Sequence, residues 1–201
     1  MLREVVVPDK RVREYKYIFR IYDKQKMRQG QILRQIKAFL EQKNHPLKWQ
    51  KRNKVLLEKL KELKFEEKLL DLKFRSLLTE YEYVVSQIKD TEKIIEEIKE
   101  DEELGRTIQI IEKINGIGII SAVRMSVYLF DQKDRFESSE RLNHYLGLTP
   151  SERSRVDKIV RGRSGMCGNR QLRSIIVQLV RMTVGKDGSL LEKFDRVYKI
   201  S

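Results

Sequence analysis

The residues of this sequence best suited to covalent chemistry lie in the segment 147–173. It contains Ser151, Ser154, Ser164 and the lone Cys167, together with seven basic residues and only two acidic ones. A hydroxyl of this kind is a weak nucleophile until a base or a metal ion activates it. The segment therefore admits two interpretations: it delivers a nucleophile to a phosphodiester, or it lies as a basic strap on nucleic acid.

The basic residues of this segment are mixed with glycines, which is typical of a flexible loop that orders on a phosphate backbone. A charge run is more commonly a solvated face, and this alternative stays open. After the loop, a helix is predicted to begin near Asn169 and to bury Ile175, Ile176, Leu179 and Val180. The residues of this region predicted to bind DNA are Arg153, Arg155, Lys158, Arg161, Arg163, Asn169, Arg170 and Arg173.

A second candidate phosphate contact lies in residues 110–130, where Asn-Gly-Ile-Gly separates two amphipathic patterns. Gly116 and Gly118 allow the sharp turn of a helix-hairpin-helix motif, whose second helix can offer backbone N–H groups to a phosphate. These two glycines and the backbone of residues 119–121 would make the contact, which is independent of base sequence. The alternative is a tight turn between two packed helices without a ligand.

Two long amphipathic patterns precede these segments and must position them. The first is predicted to begin at Asp9 and to end within residues 42–46, and the second keeps the same spacing over residues 56–98. Periodicity of this length predicts coiled-coil arms over residues 9–104, paired antiparallel through a turn at Asn44–Trp49. The main expected roles of the arms are spacing and oligomerisation, with direct nucleic-acid contact as the alternative.

Composition limits the class of protein and of partner. The 201 residues carry a net charge of +13, with a pI near 9.7, which favours a polyanionic partner, nucleic acid first and anionic membrane second. No apolar run approaches the ~20 residues that a membrane-spanning helix needs. A single cysteine fits a reducing cytoplasm. The two histidines, His45 and His144, exclude a clustered His/Cys metal site, so no cofactor is expected on this chain.

Three motifs in a fixed order carry a family resemblance: INGIGIISA, RFESSERLNHYLGLTPSERS and GNRQLRSIIVQ. Together they resemble the C-terminal domain of the 110/116/902 group of bacterial insertion-sequence transposases. Piv-type DNA invertases share that domain, and some members of the group are bridge-RNA-guided recombinases. The preceding residues resemble the linker and coiled coil of the same family, so the resemblance covers almost the whole chain.

The resemblance implies a recombinase that moves or inverts DNA with two catalytic parts. One is an N-terminal RuvC-like domain whose four acidic residues bind Mg²⁺, and the other is a C-terminal serine that attacks the phosphodiester. Metal-bound carboxylates would help to deprotonate such a serine and would stabilise charge on the phosphoryl oxygens. The sequence begins where the family's linker begins, so we expect the RuvC-like domain, and the Mg²⁺ with it, to be missing from this chain.

The nucleophile position of the family also departs from its pattern. The family places a serine directly before a glycine in this region, whereas the aligned residues here are Arg155 and Val156. Ser154 lies one residue away and is the only candidate nucleophile that we retain. A misplacement of about 1 Å already costs such reactions heavily, and arginine has no nucleophilic chemistry to offer. The segment 147–173 is therefore expected to act as a basic strap.

These observations predict a mostly α fold. Its expected parts are a linker remnant at 1–8, coiled-coil arms at 9–104, and a C-terminal transposase domain at 105–201. We expect a truncated transposase-family protein for DNA transposition or recombination that binds DNA and does not cleave it alone. The alternative is a non-catalytic DNA- or RNA-binding protein, or a dominant-negative regulator. The expected partners are DNA, the family's guide RNA, and a second copy or a full-length transposase held through the coiled coil, in the cytoplasm and without a membrane.

Overall fold

The computed structural model describes residues 9–45, 53–130, 138–155, 158–164 and 168–184, together with Gly188 and Glu192. The predicted linker at 1–8, the greater part of the turn after the first arm, and Cys167 lie outside these residues. None of the helices in the described ranges is long and apolar enough to cross a membrane.

The described residues are mainly helical, which confirms the predicted mostly α fold. In chain order the elements are α1 (Lys10–Gln42), α2 (Asn53–Glu62), α3 (Lys68–Glu97), a 3-10 helix (Ile98–Glu100), α4 (Gly105–Glu112), α5 (Ile119–Phe130), α6 (Ser139–Leu146), β1 (Pro150–Arg155), β2 (Lys158–Ser164) and α7 (Arg170–Val184). The two strands form an antiparallel hairpin where a flexible loop was predicted, so that prediction was wrong. The sequence did not predict these strands because arginine and serine occupy many of their positions, and neither residue type is enriched in strands.

Helix α1 begins and ends where the sequence predicts. The Asp9 carboxylate accepts a hydrogen bond from the N–H of Arg11 at 3.3 Å, which caps the start. At the other end Asn44 has φ 55°, and the N–H of His45 returns to the carbonyl of Leu40 at 3.0 Å. This is a Schellman motif with asparagine in the left-handed position, and it ends the helix.

The second arm consists of two helices, which corrects the prediction of one continuous pattern. The chain leaves the helical path between α2 and α3, and the ring of Phe65 lies 5.2 Å from that of Phe39 and 5.1 Å from that of Phe74. The guanidinium of Arg75 donates to the carbonyl of Lys61 at 3.1 Å and so satisfies a C-terminal group of α2. Periodicity did not reveal the break because apolar spacing continues across it.

One compact unit of the chain comprises residues 18–94. Within it the hydroxyl of Tyr22 donates to Glu92 at 2.9 Å, and the guanidinium of Arg28 donates to Glu80 at 2.9 Å. From Tyr22 to Arg28 the residue number on α1 rises, whereas the number of the partner on α3 falls from 92 to 80. The two helices therefore pack antiparallel, as predicted. Classification of the pair as a coiled coil remains a prediction. The core residues of this unit are Ile32, Ile36, Phe39, Leu40, Leu60, Phe74, Leu78, Tyr81, Val84 and Ile88.

The other compact unit comprises residues 1–17 and 95–201. The first turns of α1 and the end of α3 therefore group with the C-terminal region, a division that differs from the predicted boundary between residues 104 and 105. Compactness is a different criterion from function, so the predicted functional domains stay predictions. Buried apolar residues of this unit include Val12, Ile98, Leu104, Ile108, Ala122, Val123, Val127, Leu146, Leu172 and Leu179.

Candidate nucleic-acid interface

A buried carboxylate fixes the chain just before α4. One oxygen of Asp101 accepts from the N–H groups of Glu103 and Leu104 at 3.0 Å, and the other accepts from the hydroxyl of Tyr15 at 2.9 Å. The guanidinium of Arg11 lies 3.4 Å away. Burial alone would raise the pKa of the Asp101 carboxyl, but the hydrogen bonds and the charge of Arg11 outweigh it and lower the pKa. Burial and the hydrogen bond to Asp101 raise the pKa of Tyr15.

Helices α4 and α5 are joined by the predicted glycine turn. Gly116 has φ 95°, a left-handed conformation that favours glycine, whereas a Cβ at Gly118 would meet no atom within 4 Å. The carbonyl of Gly118 accepts from the N–H groups of Ser121 and Ala122 at 3.0 Å, so α5 begins directly after it. Two helices therefore flank the glycine turn, as predicted, whereas its identification as a helix-hairpin-helix and its role in binding phosphate stay predictions.

Helix α6 ends in a second left-handed glycine. Its start is capped by Ser138, whose hydroxyl accepts from the N–H of Arg141 at 3.4 Å. At its end Gly147 has φ 66°, and the N–H of Leu148 bonds the carbonyl of Asn143 at 2.9 Å. This arrangement is again a Schellman motif. It stops α6 and turns the chain toward β1.

The hairpin that follows holds five of the ten residues predicted to bind DNA. Its register sets Arg153 opposite Val160 and Arg155 opposite Lys158, with an irregularity between positions 150 and 152. Strands β1 and β2 together contain five basic residues and one acidic residue. The basic residues are Arg153, Arg155, Lys158, Arg161 and Arg163. The segment is therefore a short basic ribbon with defined pairing.

The start of α7 is attached to the end of α6 by a contact that we call the root clamp, formed by Tyr145, Gly147, Gly168, Asn169 and Arg173. Gly168 has φ 134°, and a Cβ there would lie 2.7 Å from the backbone N of Gly147 and from the carbonyl O of Tyr145. The N–H of Asn169 donates to that carbonyl at 2.9 Å, and its side-chain amide donates to the Tyr145 hydroxyl at 3.1 Å. The two ends of the segment that contains the hairpin are thus held together.

The root clamp gives structural roles to two residues that were predicted to bind DNA. The side-chain oxygen of Asn169 accepts from the N–H of Leu172 at 3.0 Å, which makes Asn169 the cap of α7. The guanidinium of Arg173 donates to the carbonyl of Gly147 at 3.3 Å and is partly buried. Arg170, in contrast, is exposed at the start of α7. DNA contact by any of the three remains a prediction.

The buried side of α7 differs from the predicted one at a single position. Leu172 and Leu179 are buried, Ile175 and Ile176 are half-buried, and Val180 is 49% exposed. The prediction for Val180 was wrong because it lies about 100° around the helix from Leu179, away from the buried stripe. Val180 therefore belongs to the solvent side of the helix.

The hairpin register separates the candidate nucleophile from the position that the family uses. Ser154 lies opposite Ile159, one register step from Arg155. Successive positions of a strand belong to opposite faces, so the positions 154 and 155 are not equivalent in the ribbon. In the part of the chain that the structure describes, no group of three or more His, Cys, Asp or Glu residues could hold a metal ion.

Sequence reasoning did not identify Tyr145, Gly147 and Gly168 as residues that hold the hairpin. The available signal in the sequence was the position of the two glycines, because Gly147 precedes the basic hairpin residues and Gly168 follows them. Their close approach could not be inferred, because the two residues are separated by the whole hairpin and meet only through the packing of α6 and α7.

Comparison with known proteins shows that part of the chain resembles a protein family. Residues 108–195 match the Transposase IS116/IS110/IS902 family. No curated protein matches the chain. The matched segment contains the glycine turn, the hairpin and the root clamp, so both candidate phosphate contacts lie within the transposase-family domain. This match supports a function related to transposition and indicates DNA as a partner.

Proposed function

We propose that this transposase-family domain binds DNA during transposition through the basic ribbon of residues 150–164. The observation that carries the proposal is the combination of five basic residues on a paired hairpin with a root clamp that holds its two ends. A ribbon fixed in this way loses less conformational freedom on binding than a flexible strap would. Two-stranded ribbons also fit the grooves of duplex DNA.

The turn before α5 is the proposed second contact. Its first backbone N–H groups, after Gly116 and Gly118, are those that a helix start offers to a phosphate. Such a contact would position the protein on the backbone without reading bases. The proposed helix-hairpin-helix and the ribbon would then share one chemical target, the phosphodiester backbone.

Binding, and not strand cleavage, is the proposed activity of these residues. Arg155 occupies the family's nucleophile position, and Ser154 lies on the opposite face of the ribbon. Cleavage would need carboxylates and Mg²⁺ of the kind that a RuvC-like domain supplies, along with a correctly placed serine. We therefore propose a covalent protein–DNA intermediate only as the alternative, with Ser154 as its attachment point.

The remaining partners are proposed from the family resemblance alone. They are the guide RNA of the family and a second copy, or a longer transposase, that associates through the arms. A chain that binds DNA and associates in this way without cleaving would act as a regulator of transposition in the cytoplasm.

The proposal is tested with the full chain and the triple variant R161Q/R163Q/R170Q. Binding to a labelled random-sequence duplex is measured by fluorescence anisotropy over a series of salt concentrations. We expect a larger Kd and a smaller salt slope, by about one for each phosphate contact removed. The matched control is K64Q/K68Q/K89Q, which removes the same charge from exposed lysines of unit 18–94. Equal Kd and slope for the two variants would refute DNA binding by the ribbon.

A further inference from the structure

We infer that the outward side of α1 is a further surface for the backbone of duplex DNA, in addition to the hairpin and the glycine turn. The surface, which we call the α1 basic face, consists of Arg20, Lys24, Arg28, Gln31 and Arg34. The inference rests on the proposed function, because it takes DNA as the partner of the chain. It adds a further place where that partner binds, inside the unit 18–94.

The α1 basic face is set by helical geometry. Its residues recur three or four positions apart, which places them along one side of the helix. The residues that α1 buries in this unit, such as Ile32 and Ile36, lie on the other side. Arg20, Lys24, Arg28 and Arg34 are all exposed. The side chains of this face are therefore available to a partner without any rearrangement of the core.

Charge on this face is only partly neutralised by ion pairs within the unit. The guanidinium of Arg28 pairs with Glu80 from α3. No ion pair of the described residues involves Arg20, Lys24 or Arg34, although neighbouring cations such as Lys37 do have carboxylate partners. Over positions 68–94, helix α3 contains as many acidic residues as lysines and arginines. Residues 18–42 of α1, in contrast, include six basic residues against two acidic ones, so this part of α1 carries a net positive charge.

A groove lies over the same face. Arg28, Gln31, Arg34, Gln35 and Ala38 line an open depression of about 550 Å³. The small side chain of Ala38 leaves room in it, and the two glutamine amides can donate hydrogen bonds to phosphate oxygens. Arginine and glutamine side chains of this kind are common donors to the DNA backbone. The groove thus offers both charge and neutral hydrogen-bond donors to one occupant.

The spacing of the charges suits a long, regular polyanion. Residues four apart on a helix are about 6 Å apart along its axis, and Arg20 and Arg34 are about 21 Å apart. Duplex DNA carries one charge per ~1.7 Å of its axis, so a straight helix can place each of these cations near a phosphate. An acidic protein would need carboxylates at matching intervals, and no feature of this face selects such a pattern.

The test uses the full chain with R20Q/K24Q/R34Q, measured against the labelled duplex over the same salt series. The three residues are exposed and outside the core, so the variant should keep the helix content and melting temperature of the wild type. We expect a larger Kd and a salt slope smaller by about two to three, since each contact contributes ~0.9. The control is again K64Q/K68Q/K89Q, which changes net charge by the same amount.

Each outcome decides between the two proposals. If R20Q/K24Q/R34Q matches the lysine control while R161Q/R163Q/R170Q still weakens binding, the α1 basic face is refuted and the ribbon proposal stands. If only the α1 variant weakens binding, the face is supported and the ribbon proposal fails. A parallel series with RNA of the same sequence checks the partner. An effect on RNA without one on the duplex would overturn the assignment to DNA.

Discussion

Single residues show most clearly which features of this chain are structural. Gly168 and Gly30 look alike in the sequence, yet only Gly168 has a left-handed φ and a backbone neighbour 2.7 Å from the position of a Cβ. Gly30 lies within α1, where an added Cβ would meet only the side chain of Arg34 at 3.5 Å. The two glycines are therefore expected to respond to the same substitution with opposite signs.

The substitution Gly168→Ala is expected to lower the free energy of unfolding by about 2 kcal/mol, because alanine is strained at this φ and collides with the end of α6. It should also speed trypsin cleavage after Arg161 and Arg163, since the hairpin loses its anchor. Gly30→Ala is the control, and its higher helix propensity should raise stability by about 0.5–1 kcal/mol. Urea unfolding and timed proteolysis make the comparison. Equal behaviour of the two variants would contradict the root clamp.

Asp101 is expected to make stability depend on pH in the acid range. Its folded pKa lies below the ordinary value of 3.8, so its contribution is present above that value and is lost as the pH falls toward the folded pKa. Asp101→Asn keeps a capping side chain but removes the charge that Arg11 faces. The variant should be less stable than wild type at neutral pH and should lose less stability on acidification.

Urea unfolding of the wild type and Asp101→Asn at neutral and acid pH measures this difference. The control is Asp90→Asn, because Asp90 is exposed and its ion pair with Lys93 lies on the surface of the same helix. Its effect should stay within about 0.5 kcal/mol. If the free energy of unfolding falls by the same amount on acidification for wild type and Asp101→Asn, the charge of the buried carboxylate contributes nothing to stability.

At the scale of elements, helical periodicity located the helices but did not fix which side of each is buried. Helix α7 shows this, because Leu179 and Val180 are neighbours of similar apolarity and only Leu179 faces the core. The break between α2 and α3 is a second feature that periodicity did not reveal. Apolar spacing continues through it, and the aromatic contacts of Phe65 reveal why the chain bends there.

Substitution at these two positions should give very different losses of stability. Leu179→Ala is expected to cost about 2–4 kcal/mol, because it leaves a cavity where α7 packs. Val180→Ala should stay within about 0.5 kcal/mol. Thermal or urea unfolding of the full chain measures both. A loss of several kcal/mol for Val180→Ala would mean that Val180 is packed against the core, as the sequence predicts, and would contradict its exposed position in the structure.

At the scale of the whole molecule, positive charge is the property most relevant to partners. The net charge of +13 arises from 43 basic residues against 30 acidic ones. The structure collects part of this excess on the ribbon of unit 1–17 and 95–201, and part on α1 of unit 18–94. Each surface is proposed to contact phosphates and not bases, so sequence preference is expected to be weak.

This expectation is tested with unrelated duplexes of equal length. The Kd values should agree within about threefold at one salt concentration, because phosphate contacts carry no sequence information. Raising the salt should weaken all of them in parallel. A duplex that binds far more tightly and keeps its affinity in high salt would show direct base recognition, which neither proposed surface explains.

The sequence by itself determined the helical class, the ends of α1, the glycine turn after α4 and the stop of α6. These features depend on local chemistry: apolar spacing, capping side chains, and glycine or asparagine at positions that need a left-handed backbone. The order of its motifs also indicated the transposase family, which the match of residues 108–195 supports.

Only the tertiary structure decided the pairing of β1 with β2, the division of the second arm and the partners of Gly168, Asn169 and Arg173. Each of these depends on residues that are distant in the chain and meet through packing. Gly147 and Gly168 come within backbone contact because α6 and α7 pack together, and no local preference of either residue encodes that approach. For the same reason the sequence did not show that Asn169 and Arg173 act as anchors in the fold, a role that leaves their predicted contact with DNA untested.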